Sequence, residues 1–254
     1  MKKQSHIFFT ALMFFTRIPC PKGIDHSPDI LKKSTRYFSL VGLLIGGIST
    51  FCYLIAVQIF NTDIALAISM FASIWATGAF HEDGFADVCD GFGGAWTKDK
   101  ILLIMKDSQL GTYGTVGLIL ILTLKFLALK DIPNEYIALT IISGHSISRF
   151  IAATLLFTLP YVRDPELNKT KTAVDKMTLN SLMVNAFFGL VPLVFFQNAK
   201  LFFVLIPLGT TKWWMAGFFK KCIGGQTGDC IGALQQISEV IYYLSLLALW
   251  KYIW

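Results

Sequence analysis

Charge is scarce in this chain: of 254 residues only 15% are Asp, Glu, Lys or Arg, while 54% are hydrophobic. That balance excludes an ordinary soluble domain. The five cysteines, Cys20, Cys52, Cys89, Cys222 and Cys230, have no metal-ligand spacing and read as reduced, unpaired thiols. No Ser-His-Asp or Cys-His order is present, which argues against acyl transfer. A cleavable signal peptide is not expected either. The apolar stretch from His6 to Ile18 follows two lysines, but Arg17, Pro19 and Pro21 stand where small residues would mark a cleavage site.

What the chain has in abundance is long apolar runs. Candidate spans are Phe38 to Phe60, Ile64 to Phe80, Thr115 to Leu129, Tyr136 to Leu159, Leu182 to Phe196, Leu201 to Phe219 and Ile237 to Trp250. The expectation is an all-α polytopic membrane bundle of about seven transmembrane helices, one integral membrane domain over residues 1–254. Several runs fall short of the ~20 residues that cross a bilayer comfortably, so their flanks extend them or they are partly re-entrant. Residues 1–37 read as a cytoplasmic, interfacial segment. There an amphipathic helix sets Phe8, Phe9, Phe14 and Phe15 in the headgroup layer and Arg17 with its neighbouring lysines against anionic lipid.

The net charge of +6 does not point to nucleic acid, because the positive residues alternate between connections. Lys2, Lys3, Arg17, Lys22, Lys32, Lys33 and Arg36 precede the first span. Lys98, Lys100 and Lys106 lie in the second connection, Arg163, Lys169, Lys171 and Lys176 in the fourth, and Lys220 and Lys221 in the sixth. The other connections are short and carry little beyond Lys130 and Lys200. This positive-inside pattern puts the N-terminus and the long connections in the cytoplasm.

Carboxylates cluster abruptly in His81-Glu82-Asp83-Gly84-Phe85-Ala86-Asp87-Val88-Cys89-Asp90-Gly91-Phe92-Gly93-Gly94, with no Lys or Arg between Ala79 and Trp96. On a helix, Asp83, Asp87 and Asp90 share a face. A divalent cation relieves their repulsion, and a set of hard oxygen ligands favours Mg²⁺; a solvated acidic turn capping a helix is the plainer alternative. The second span is expected to run on as helix through Asp87 and Asp90 until Gly91, Gly93 and Gly94 break it. Gly42, Gly46 and Gly47 are spaced for close helix approach.

Four further places carry polar chemistry. In the long connection after the cluster, Lys106 and the stretch Ser108 to Gly114 offer positive charge and backbone N–H groups to a phosphate, or simply form a basic surface loop. Arg149 lies deep in the fourth apolar run with His145 one turn away, and an ionisable group there reads as functional. Arg163 follows that run directly. Finally, Gly224-Gly225-Gln226-Thr227-Gly228-Asp229 forms a second glycine-rich, acidic turn, and Asp229, Gln236 and Glu239 are placed to join the first cluster.

Together these residues favour metal-assisted phosphoryl chemistry on an amphipathic or lipid-like substrate. A CDP-alcohol phosphotransferase and a prenyltransferase use similar Asp-rich helices. The first calls for Asp-Gly-x-x-Ala-Arg, whereas Ala86 is followed by Asp87, and the second for a better second acidic motif than Gly224 to Asp229. A transporter with an ion path through Arg149 and the acidic cluster is the alternative from another class, but the non-cytoplasmic connections are too short and plain for it.

The segment His81 to Phe92 resembles the His-x-Asp-Gly-Leu/Phe-Ala-Asp-x-x-Asp-Gly signature of the cobalamin synthase family, the adenosylcobinamide-GDP ribazoletransferases. Phe15 to Pro19, Lys106 to Gly114, Ser148-Arg149, Tyr161 to Arg163 and Gly224 to Asp229 extend the resemblance in order over nearly the whole chain. It implies an inner-membrane enzyme of bacteria, active at the cytoplasmic face. Such an enzyme joins adenosylcobinamide-GDP to α-ribazole, or its 5′-phosphate, with Mg²⁺ and with release of GMP. Carried over, Asp83, Asp87, Asp90 and Asp229 would hold the metal and His81 is the candidate base. Lys106, Arg149, Arg163, Gly225 and Thr227 would contact substrate. Membrane lipid is the expected surrounding, nucleic acid is not a partner, and a homo-oligomer or a complex with other corrinoid enzymes is compatible with this reading.

Overall fold

The computed structural model describes residues 2–24, 27–107, 109–162 and 176–253, and every regular element among them is helical. Helix α1 (Lys2–Phe15) and the short α2 (Pro28–Ser34) lead through a 3₁₀ turn, Thr35–Tyr37, into α3 (Phe38–Ala56). Then come α4 (Thr62–Thr77), α5 (Phe80–Gly94), α6 (Lys98–Ile104), α7 (Thr112–Lys130) and α8 (Asn134–Thr158). The chain closes with α9 (Leu179–Val194), a 3₁₀ segment Ala199–Val204, α10 (Leu205–Ile223) and α11 (Gly228–Ile253).

All seven apolar runs are helical, but they differ in reach. Five helices are long and apolar enough to cross a membrane, and α4 with α5 makes a sixth if the bent pair counts as one span. At 16 residues, α9 is shorter than a full span. The protein is a membrane protein built as a helical bundle. In α8 and α11, 78% and 67% of the apolar window is buried, against 28% and 22% in α7 and the α10 span. The first two are therefore inner helices, and α7 and α10 turn Ile119, Leu120, Leu124, Ile206, Trp213 and Trp214 outward to lipid.

The expected close approach by α3 occurs, and its partner is α8. A Cβ at Gly42 would strike the His145 carbonyl oxygen, and one at Gly46 would lie 2.8 Å from Ile142 Cα; at Gly47 it would meet nothing within 4 Å. Gly42→Ala should therefore cost about 1–3 kcal/mol through forced backbone separation. Gly47→Ala should be neutral or stabilising by up to ~1 kcal/mol. Thermal unfolding in detergent checks the pair, and equal shifts for both would contradict this packing.

The acidic stretch does not continue the second span. Gly78 (φ +67°) and Ala79 (φ +58°) are both left-handed, so α4 stops at Thr77 and α5 leaves at 87° to it. Gly78 takes this conformation without penalty, whereas Ala79 is held by its own bonds. Its N–H donates to the Ile74 carbonyl at 2.9 Å, and its carbonyl accepts from the Asp83 N–H at 2.8 Å. Of the later glycines, only Gly94 stands where α5 ends. Gly91 and Gly93 lie inside α5, where a Cβ would press on Met105 and on the Tyr113 ring respectively.

Helix α1 is more than a lipid anchor. Ala11, Leu12 and Phe15 are buried with Phe38, Val41, Ala152, Ala153 and Leu156, and Phe15 stacks on Phe38 with ring centroids 4.3 Å apart. Two of the four phenylalanines expected in the headgroup layer, Phe14 and Phe15, instead pack against Phe80.

Candidate active site

Helices α5 and α11 cross in backbone contact. A Cβ at Gly84 would lie 3.0 Å from Asp229 Cα and 3.2 Å from its carbonyl oxygen, and one at Gly232 would lie 3.2 Å from the His81 carbonyl oxygen. Missing side chains on both helices thus allow backbone contact. The crossing sets Asp229 beside Gly84, one of the three residues between Asp83 and Asp87. Asp83 is exposed, and Asp87 and Asp229 are half-buried.

The turn before Asp229 is built for position. Gly224 ends α10 in the left-handed region (φ +86°). The Gln226 N–H donates to the Pro160 carbonyl at 2.9 Å and the Val162 N–H to the Gln226 carbonyl at 3.1 Å, which ties this turn to the end of α8. A Cβ at Gly225 would strike the Pro160 carbonyl. The Thr227 hydroxyl accepts from the Cys230 N–H at 3.3 Å and lies 3.3 Å from an Asp229 oxygen, capping α11. Gly225 and Thr227, expected as substrate contacts, are buried in this framework. Lys98 reaches the same turn, with its Nζ 3.8 Å from where a Cβ of Gly224 would stand.

Asp90 is bonded to a neighbouring helix. It is 8% exposed, and its two oxygens accept the Gly111 N–H at 2.8 Å and the Gly114 N–H at 2.9 Å. These are free donors at the start of α7, so the carboxylate caps that helix and meets its positive end. A Cβ at Gly111 or Gly114 would run into the Asp90 carboxylate. Helical spacing keeps Asp83, Asp87 and Asp90 on one side of α5, with the Asp90 carboxylate bonded to the start of α7. Among the described residues no three His, Cys, Asp or Glu side chains are gathered closely enough to hold a metal ion.

Two other expected residues lie inside the bundle. His81 is 1% exposed between the rings of Phe38 and Phe80, 5.4 and 5.3 Å away by centroid, and among the described residues neither ring nitrogen has a hydrogen-bond partner. Arg149, also 1% exposed, donates to the His145 carbonyl at 2.8 Å and sits 5.9 Å from the Phe38 ring centre. Lys106 is exposed beyond α6, and Arg163 lies outside the described residues.

Gln236 meets the first acidic stretch as expected, through Glu82, inside a buried polar network centred on α11 whose other members sequence reasoning missed. Lys125 of α7 is 3.2 Å from a Glu239 oxygen and donates to Gln236 at 2.9 Å. Gln236 donates to Glu82 at 2.9 Å, Gln235 donates to Glu239 at 2.8 Å and to Ser148 at 3.0 Å, and the Tyr243 hydroxyl donates to Glu239 at 3.1 Å. His145 Nδ1 lies 3.6 Å from Glu239 and 3.4 Å from Arg149, so two carboxylates and two cations are linked out of contact with water. Lys125, in the middle of an apolar run, was the available signal.

The sequence profile of the cobalamin-5-phosphate synthase family matches residues 7–247. The chain belongs to this family. An adenosylcobinamide-GDP ribazoletransferase of Shewanella frigidimarina is 43% identical over 250 residues, covering 97% of this chain and 95% of that one. Its namesake in Shewanella pealeana is 41% identical over 252 residues, covering 98% and 97%. No solved structure matches the chain.

For this cobalamin synthase family member, the cap formed by Asp90 has a direct test. Asp90→Asn turns an NH₂ toward one of two N–H donors and should cost about 1–3 kcal/mol of stability. Thermal unfolding in detergent checks this, and an unchanged melting temperature would mean that the carboxylate does not carry the cap.

Proposed function

We propose that this chain joins adenosylcobinamide-GDP to α-ribazole, or its 5′-phosphate, releasing GMP, at the cytoplasmic face of the bacterial cytoplasmic membrane. The observation that carries this is the crossing at Gly84, which sets Asp229 beside the exposed face formed by Asp83 and Asp87. Lys98 stands at the neighbouring Gly224 turn. Lys220 and Lys221, in the last turn of α10, support a cytoplasmic position for this end of the bundle.

Mg²⁺ fits this donor set. It is ordinarily held by one or two carboxylates together with substrate phosphates, not by a full protein cage, so fewer than three gathered carboxylates is a suitable arrangement. Asp83, Asp87 and Asp229 would hold the ion; Asp90 is engaged at α7. When bound, Mg²⁺ neutralises charge on the diphosphate and on the departing phosphate.

In the reaction, a ribose hydroxyl that is free in both α-ribazole and its 5′-phosphate, and so not the 5′-oxygen, forms a bond to the phosphorus nearer the cobinamide. The bond from that phosphorus to the bridging oxygen breaks, and its electron pair leaves with GMP. The hydroxyl proton passes to a carboxylate of the open face, because the His81 nitrogens are enclosed by Phe38 and Phe80. Lys98 and the exposed Lys106 supply positive charge near the leaving phosphate.

The test is a membrane or detergent preparation of the protein given adenosylcobinamide-GDP, α-ribazole and Mg²⁺ and followed for GMP. Release of GMP that depends on both substrates is expected. A folded protein that yields none would overturn the proposal.

A further inference from the structure

The chain leaving α1 passes the break between α4 and α5, and there Arg17 is fixed by its backbone while its side chain is left open. The Arg17 N–H donates to the Ala76 carbonyl at 2.8 Å. Thr16 shapes the turn, with its hydroxyl donating to the Leu12 carbonyl at 2.6 Å and accepting from the Ile18 N–H at 3.2 Å. The guanidinium lies over Gly78, where a Cβ would come within 3.0 Å of Arg17 Cζ. Gly78 therefore serves both the left-handed turn and the seat of the arginine.

This seat stands at one end of the acidic face. Phe14 and Phe15 pack on Phe80 at 5.6 and 6.0 Å between ring centroids. Phe80, Asp83 and Asp87 follow one another at spacings of three and four on α5, hence along one face. The residues just before Arg17 thus grip the first position of the face that bears Asp83 and Asp87. Arg17 is exposed, and no described side chain or carbonyl accepts a hydrogen bond from its guanidinium. A planar fork of donors held at the edge of a carboxylate face, without a carboxylate of its own, suits a phosphate group.

We propose that Arg17 binds a phosphate group of the nucleotide diphosphate substrate at the α4–α5 break. This rests on the reaction proposed above. The same chemistry would recognise a lipid headgroup phosphate, and a purely structural role at the C-terminal end of α4 would also favour a cation.

The test uses the full chain as wild type, Arg17→Lys and Arg17→Gln, in detergent, in phosphatidylcholine vesicles and in vesicles containing phosphatidylglycerol. Both variants should raise the KM for adenosylcobinamide-GDP about tenfold or more, Arg17→Gln the more, in all three settings. The KM for α-ribazole should stay unchanged. Binding of inorganic pyrophosphate with Mg²⁺, measured by calorimetry, should weaken by a similar factor. A defect confined to phosphatidylglycerol vesicles would assign the site to lipid, and a lowered melting temperature with normal KM would leave only the structural role; either overturns the proposal. If the wild type released no GMP yet bound pyrophosphate in an Arg17-dependent way, the reaction would fall and the phosphate site would stand. Absence of both would remove both.

Discussion

Asp87→Asn is expected to lower GMP release by ~10³-fold or more, a loss of about 4 kcal/mol in transition-state stabilisation. The substitution keeps the size of the side chain and removes its charge. Asp87 is half-buried on the face of α5 nearest the Gly84 crossing, so its carboxylate acts in a site that water screens incompletely. An amide oxygen is a weaker ligand for a hard cation, and excess Mg²⁺ should restore only part of the activity. Steady-state rates across a Mg²⁺ titration, with a melting curve to establish folding, check this. Unchanged turnover in a folded Asp87→Asn protein would take Asp87 out of the metal shell.

Glu239→Ala should have the largest effect on stability, about 3–5 kcal/mol, because it leaves buried cations without their counter-charge. Glu239 is 1% exposed and receives Lys125, Gln235 and Tyr243 at 3.2, 2.8 and 3.1 Å. Without it, the Lys125 ammonium keeps only its bond to Gln236 inside the bundle, and an ammonium removed from water is costly. Much of that cost is a consequence of orphaning and not the net worth of the pair. Removing both charges in Glu239→Leu with Lys125→Met should therefore recover a large part of the loss. The measurement is thermal unfolding of detergent-solubilised protein. A melting temperature for Glu239→Ala equal to that of the wild type would mean that the network carries no energetic weight.

The network also shows where sequence reading stops. Lys125, Glu82 and the α11 pair Gln235 and Glu239 come from three helices, and nothing in local spacing says that these three helices bring them together. Arg149 invited a phosphate or carboxylate partner because of its depth. In the fold its nearest companions are His145 and the Phe38 ring, since α3 and α8 close on each other over Gly42 and Gly46.

From the sequence alone came the membrane class, the helical runs, the basic end of the bundle and the two acidic, glycine-rich turns. These follow from hydropathy, charge placement and residue type, all of them local properties. Tertiary structure decided how the acids are divided. Asp90 is claimed by the N–H groups of Gly111 and Gly114. Asp229 comes beside α5 only because Gly84 lets α11 approach. The 87° turn at Gly78 and Ala79 lays α5 across the bundle and gives Arg17 its seat. Helical periodicity tells which side chains share a face, but the partner of each face depends on contacts between helices far apart in the chain.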